Sequence, residues 1–311
     1  MKNKFLTVLK SVIMSGSLIS GVTAQEASGP YIAARQAVMA YDYKSAAKYF
    51  SRALVQSPQD AALITQTMSA YLALGDVPRA QVLAKALNPK PDSHPIARIL
   101  LLTQYFQAEN YKVALMQLEE TPVAGAAIDN LLKGWALMGL GRVSDALALF
   151  DTAGRAQGMR SFALYQKALA LSLVGDFESA EMIFSDTQQT PVAISFRGSL
   201  ARAQILVQLE RPADAIDFLS NFHGQDADQE VRAMIAQLKA GAALNFDVVR
   251  SGREGAGEVL FFLALALQNG EGNDGVLMYT HLANYLAPRN VHALLLSAQL
   301  LEELGNYGLA I

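Results

Sequence analysis

Ala40-Tyr41-Asp42-Tyr43-Lys44-Ser45-Ala46-Ala47-Lys48-Tyr49-Phe50-Ser51-Arg52-Ala53, closed by Pro58, decides how the chain is read. A polar turn is followed by an aromatic, a small residue three positions on, a large aromatic four beyond that, and a second small residue. With Ala46 as anchor, the arrangement returns at Ala80, Ala114, Ala146, Ala180 and Ala215, in steps of 34, 34, 32, 34 and 35 residues. A period near 34 built from helix-forming residues predicts a stack of helical hairpins.

Two further columns keep the same register. Twelve residues before the anchors stand Ala34, Met68, Leu102, Gly134, Ala168 and Ala203; four after them stand Phe50, Ala84, Leu118, Phe150, Phe184 and Leu219. Small residues let two helix backbones approach, and the large ones fill the space between hairpins. Turns fall at Tyr41-Asp42-Tyr43, Gly75-Asp76-Val77-Pro78, Glu109-Asn110-Tyr111, Gly141-Arg142-Val143, Gly175-Asp176-Phe177 and Glu210-Arg211-Pro212. Glycine at such a turn permits left-handed backbone, and Asp or Asn can bond nearby N–H groups.

The pattern resembles the tetratricopeptide repeat (TPR) family, most closely at Gly175-Asp176-Phe177-Glu178-Ser179-Ala180-Glu181-Met182-Ile183-Phe184 and around Ala46. The resemblance implies an all-α solenoid of antiparallel helix hairpins, a right-handed superhelix whose concave groove takes up another protein or peptide. It also implies which side chains line that groove, all from the first helix of each repeat: Phe106 in repeat three, Leu131, Trp135 and Met138 in repeat four, Phe162 and Tyr165 in repeat five, Arg197 and Gln204 in repeat six. Ile96 and Thr103 of repeat three fall on the same side. The family's Lys/Asn/Arg clamp for acidic C-terminal tails is replaced here by Tyr31, Arg35, Gln66, Ile96 and Leu100.

Residues 1–24 read as an export signal: Lys2, Lys4 and Lys10, an apolar stretch from Ser11 to Val22, and small residues at Val22-Thr23-Ala24 before Gln25. Removing them moves the net charge from −3 to −6. The chain has no cysteine, which excludes disulfides and thiolate chemistry and suits an exported compartment. We expect the bacterial periplasm. No apolar run in the mature chain reaches the ~20 residues of a membrane span, and no basic stripe suggests nucleic acid.

Residues 25–224 therefore carry six TPR-like repeats. Residues 225–256 form a degenerate seventh whose second helix is shortened, with a loop around Ser251-Gly252-Arg253-Glu254-Gly255-Ala256-Gly257. Residues 257–311 return to the register with anchors at Val276 and Ala310, and the last repeat is cut short. That truncation predicts a natural continuation, an uncovered apolar face, and the option of self-association through it. An alternative is a recognition arm belonging to a larger enzyme or envelope-assembly protein.

No His-Glu-x-x-His, Gly-x-Ser-x-Gly or Gly-x-x-x-x-Gly-Lys occurs, and His94, His223, His281 and His292 lie on different elements. Asn269 to Gly275 departs from a calcium loop, because Asp274 stands where glycine is needed and the closing Glu is missing. Arg250 and Arg253 beside the Gly-rich run offer an anion site or, more simply, an exposed link. The expectation is a scaffold without catalysis, metal or cofactor.

Overall fold

The anchor alanines of the first six repeats are fully buried: Ala46, Ala80, Ala114, Ala146, Ala180 and Ala215 each expose 0%, whereas Ala310, expected as the last anchor, is only partly buried. The computed structural model describes residues 28–87, 94–186, 195–224, 228–268 and 273–310. Residues 1–24, read from the sequence as an export signal, lie outside these residues, as does most of the Asn269–Gly275 run. The described residues contain sixteen helices and no strand.

In chain order the helices are α1 (Ser28–Met39), α2 (Tyr43–Gln56), α3 (Ala61–Ala73), α4 (Val77–Leu87), α5 (Pro95–Gln107), α6 (Tyr111–Glu120), α7 (Ala126–Gly139) and α8 (Val143–Ala153). They continue as α9 (Arg160–Leu173), α10 (Phe177–Ser185), α11 (Phe196–Gln208), α12 (Pro212–His223), α13 (Gln229–Lys239), α14 (Gly252–Gln268), α15 (Asn273–Leu286) and α16 (Val291–Glu303). Partners within a hairpin pack on each other in α1–α2, α3–α4, α7–α8, α9–α10, α11–α12 and α14–α15. Successive hairpins also touch, through α2–α3, α6–α7, α8–α9 and α10–α11. The fold is an α-solenoid of TPR-like hairpins.

The turns explain the register. Each turn inside the first six hairpins holds one residue in left-handed backbone, five positions before the anchor: Tyr41, Gly75, Glu109, Gly141, Gly175 and Glu210, with φ between 53° and 84°. Asp42, Asp76 and Asp176 then cap the second helices, their carboxylates accepting from Ser45 N (2.9 Å), Arg79 N (3.2 Å) and Ser179 N (3.1 Å). The small-to-large complementarity is visible in repeat four, where a Cβ on Gly134 would stand 2.6 Å from the Phe150 ring.

The chain divides into two compact units, residues 1–101 with 301–311 and residues 102–300. In the first, Ala34, Ala46, Phe50, Ala53 and Leu63 share a core on which Tyr31, Tyr49 and Tyr71 pack. In the second, Leu200, Ala203, Leu206, Ala215, Leu219, Val231 and Leu238 join α11, α12 and α13.

Repeat seven keeps its first helix, α13, and then leaves the pattern. The non-helical stretch is 240–251, not the Gly-rich run: residues 252–257 form the first turns of α14. The reason is capping and close packing. Ser251 Oγ accepts from Glu254 N (3.2 Å) while Glu254 accepts from Arg250 N (2.9 Å), a reciprocal pair of the capping-box kind.

A helix-binding face and the helix that fills it

The first helices of repeats four, five and six lie side by side, α7 against α9 and α9 against α11. All the groove residues expected from the sequence sit on them or on α5; most are buried, while Ile96 and Arg197 are partly so. Leu131 and Trp135 expose 0%, Phe106 1%, Phe162 6%, Met138 and Gln204 7%, and Tyr165 8%; the Arg197 side chain exposes 11%. What covers four of them is α14, which lies across α7 and reaches α9.

The contact begins with glycine. A Cβ on Gly252 would stand 2.5 Å from the Trp135 carbonyl oxygen, and one on Gly255 would enter the Trp135 ring at 2.1 Å. Only hydrogen at these positions lets the two backbones approach so closely. Trp135 itself is held by donating Nε1–H to Gln166 Oε1 (2.7 Å) and by the tilted Phe150 ring at 5.6 Å. On the opposite side of α14, Gly257 meets Ala287 at the end of the α14–α15 hairpin. One turn further along the α7-facing side comes Glu258, and one turn beyond that Phe262, whose ring stacks on Phe162 at 3.4 Å and 11°.

Glu258 is 3% exposed and carries the charge of the site. Its carboxylate accepts from Arg197 Nη2 (2.5 Å), from Asn290 Nδ2 (3.3 Å) and from the Tyr165 hydroxyl (3.4 Å). Burial, then the Glu258 charge, push the Tyr165 phenol well above its ordinary range, so it remains a donor. Burial, the largest influence on Arg197, works to neutralise the guanidinium; Glu258 and Tyr165 outweigh it and push the value up. The pair is a fixed charge–charge contact in a desolvated setting, where removing one member leaves the other uncompensated.

The 240–251 stretch is fastened to α11 by Arg197 and Gln204 of the expected face and by Gln208, which the sequence did not single out. Gln204 and Asp247 exchange two bonds, Nε2 to Oδ1 at 2.7 Å and Asp247 N to Oε1 at 2.9 Å. Gln208 donates to the Leu244 carbonyl (2.5 Å), and Arg197 Nη2 also donates to the Val248 carbonyl (3.1 Å). Phe106 stands apart from this assembly, packed edge-on to Tyr111 of its own hairpin at 6.0 Å.

At one flank of α14 a recess of about 360 Å³ opens between α11, α14 and α16, lined by Phe196, Arg197, Phe261, Leu265, His292 and Leu295 among others. His292 Nε2 lies 3.3 Å from Glu230, and its ring 4.6 Å from Phe196. Burial first, then Arg197, hold His292 below the usual imidazole value. Along α16, Val291, Leu294 and Leu295 expose 53%, 48% and 59%. The candidate anion site does not form as an open cradle, since Gly252, Gly255 and Gly257 are packed against protein atoms.

The sequence carried a signal for this helix. Small residues at 252, 255 and 257 before Val259-Leu260-Phe261-Phe262 are the composition of a helix that must approach its neighbours closely; read one by one, they suggest a link. Among the described residues no helix is long and apolar enough to cross a membrane.

No family model matches the chain, and no curated protein matches it. Among solved structures it is similar to one described as Naa15/Naa10 bound to HypK-THB, at 14% identity, covering 92% of this chain and 62% of that one, with a TM-score of 0.37. It is also similar to the TPR domain of P58(IPK), at 14% identity over 92% of this chain and 90% of that one, with a TM-score of 0.22. The chain thus spans 62% of the length of the first of these. With both TM-scores below 0.5, the fold assignment rests on the hairpin order and the buried columns of the chain itself.

Proposed function

We propose that the chain is a non-catalytic protein-interaction scaffold of the bacterial cell envelope, and that it binds a helical segment of another protein on the face made by α7, α9 and α11. One observation carries the reading: that face already receives a helix, α14, through backbone approach at Trp135, ring stacking at Phe162 and a buried ion pair at Arg197. A surface that holds a helix by these three means has the shape and chemistry to hold another. The envelope setting draws its support from Lys2, Lys4, Lys10, the apolar run and Val22-Thr23-Ala24.

The experiment is affinity capture from envelope extracts with the mature chain, followed by chemical crosslinking and mass mapping. Crosslinks from one partner to α7, α9 and α11 are the expected result. Crosslinks confined to α8, α10 and α12 would contradict the assigned face. The envelope setting is tested by fractionation and by the N-terminus of the recovered chain, expected at Gln25.

A further inference from the structure

Resting on that reading, we propose that the partner is an apolar helix with small residues at its first and fourth positions, a carboxylate at its seventh and an aromatic at its eleventh, and that it binds by taking the place of α14. These positions are those of Gly252, Gly255, Glu258 and Phe262, the side of α14 turned toward α7, α9 and α11. Each requirement has a separate cause.

The first and fourth positions meet the Trp135 carbonyl and the Trp135 ring, where an ideal Cβ would come to 2.5 and 2.1 Å. Alanine is therefore already crowded there, and a branched or long side chain has no room unless Trp135 turns away. The seventh position must answer Arg197, whose side chain is 11% exposed and whose Nε has no partner even with Glu258 in place. A helix without a carboxylate at that position would leave the guanidinium buried and unpaired, which is far more unfavourable than an exchange of one carboxylate for another. The eleventh position meets a flat ring face, Phe162, which an aromatic covers by stacking.

Exchange is favoured over simple addition because the site is full. The recess of about 360 Å³ beside Arg197 reaches one flank of α14 at the partly exposed Leu265, with Phe261 buried behind it, so an incoming helix can engage before α14 has left. The far side of α14 stays attached to α15, with which it forms a hairpin, and the 240–251 stretch supplies non-helical chain on the other side. Specificity then follows from the glycine spacing and the carboxylate together, since either alone is common in apolar helices.

The test uses a dye-labelled peptide of residues 250–268 with a lysine tail, titrated by fluorescence anisotropy against the full mature chain and against two versions of it. Gly255→Ala crowds the internal helix against Trp135, and Glu258→Gln removes its charge; both leave α7, α9 and α11 unaltered. The expected result is weak binding to the unaltered chain and roughly tenfold or tighter binding to both variants, because the competing internal occupant is less populated. A peptide that itself carries Glu258→Gln should lose that gain. If Gly255→Ala fails to fold, as judged by circular dichroism, the Glu258→Gln chain decides alone. Equal affinity for all chains, or no binding to any, overturns the proposal. Should a captured envelope protein nevertheless crosslink to α7 and α9, the scaffold reading stands and only this partner chemistry falls. Tight peptide exchange with no such crosslink leaves the partner chemistry standing and removes the scaffold reading.

Discussion

Trp135, expected to line an open groove, lies on the helix its spacing predicts but meets a segment of the same chain. Its spacing puts it on the first helix of repeat four, and the structure buries it completely under Gly255. Trp135→Ala should therefore lose about 3–5 kcal/mol of stability, read by urea denaturation; a change below about 1 kcal/mol would show that α14 does not rest on the ring. Arg197→Met should cost a similar amount, about 3–5 kcal/mol, since it strands Glu258 without its counter-charge. His292 gives a pH dependence. Its folded value is depressed by burial and then by Arg197, against the pull of Asp228 and Glu258, so the neutral ring is the form that suits the fold. Its contribution is complete above the unfolded value near ~6.5 and is lost as pH falls through that value toward the folded one. Glu230, raised by burial and then by Asp228, acts with the opposite sign in the carboxylate range, favouring the fold as it protonates. Between pH 7.5 and 5.5 the unaltered chain should lose more stability than His292→Gln; parallel curves would contradict the assignment.

At the scale of elements, the hairpins were legible because their information is local. A turn residue in left-handed backbone and a small or large residue at fixed distance lie within each of six repeats, and in three of them a capping carboxylate (Asp42, Asp76, Asp176) joins them. The placement of α14 was not legible for the converse reason. Its packing partners on α7 are more than a hundred residues away, and no period links them. What the sequence does show, the stripe at Gly252, Gly255 and Gly257, has two physical causes, backbone freedom and close approach. Here all three have negative φ within a helix, and close approach is the cause. The distinction can be measured. Gly255→Ala should lower the melting temperature sharply, by overpacking that costs about 1–3 kcal/mol or more. Gly275→Ala, whose Cβ would meet only Leu267 at 3.6 Å, should be neutral or slightly stabilising. Equal effects of the two would remove the close-approach explanation.

Over the whole molecule, the period of about 34 residues was enough to give an all-helical solenoid, and the buried anchor column follows it from Ala46 to Ala215. The residues expected to line a groove are on the expected helices, and seven of them lie on the three that stand side by side in residues 102–300. What they meet there, a segment of the same chain, depends on the break after α13 and on the return of α14, and repeat periodicity is silent on both. The protein contains a single tryptophan, so that meeting has its own reporter. Emission and acrylamide quenching of Trp135 should be compared in the unaltered chain and in Gly255→Ala, with helicity followed in parallel. A seated α14 requires blue-shifted, quencher-resistant emission in the first, and red-shifted, readily quenched emission in the second at nearly unchanged helicity; equally accessible emission from both chains would contradict the occupied face on which the proposed function stands.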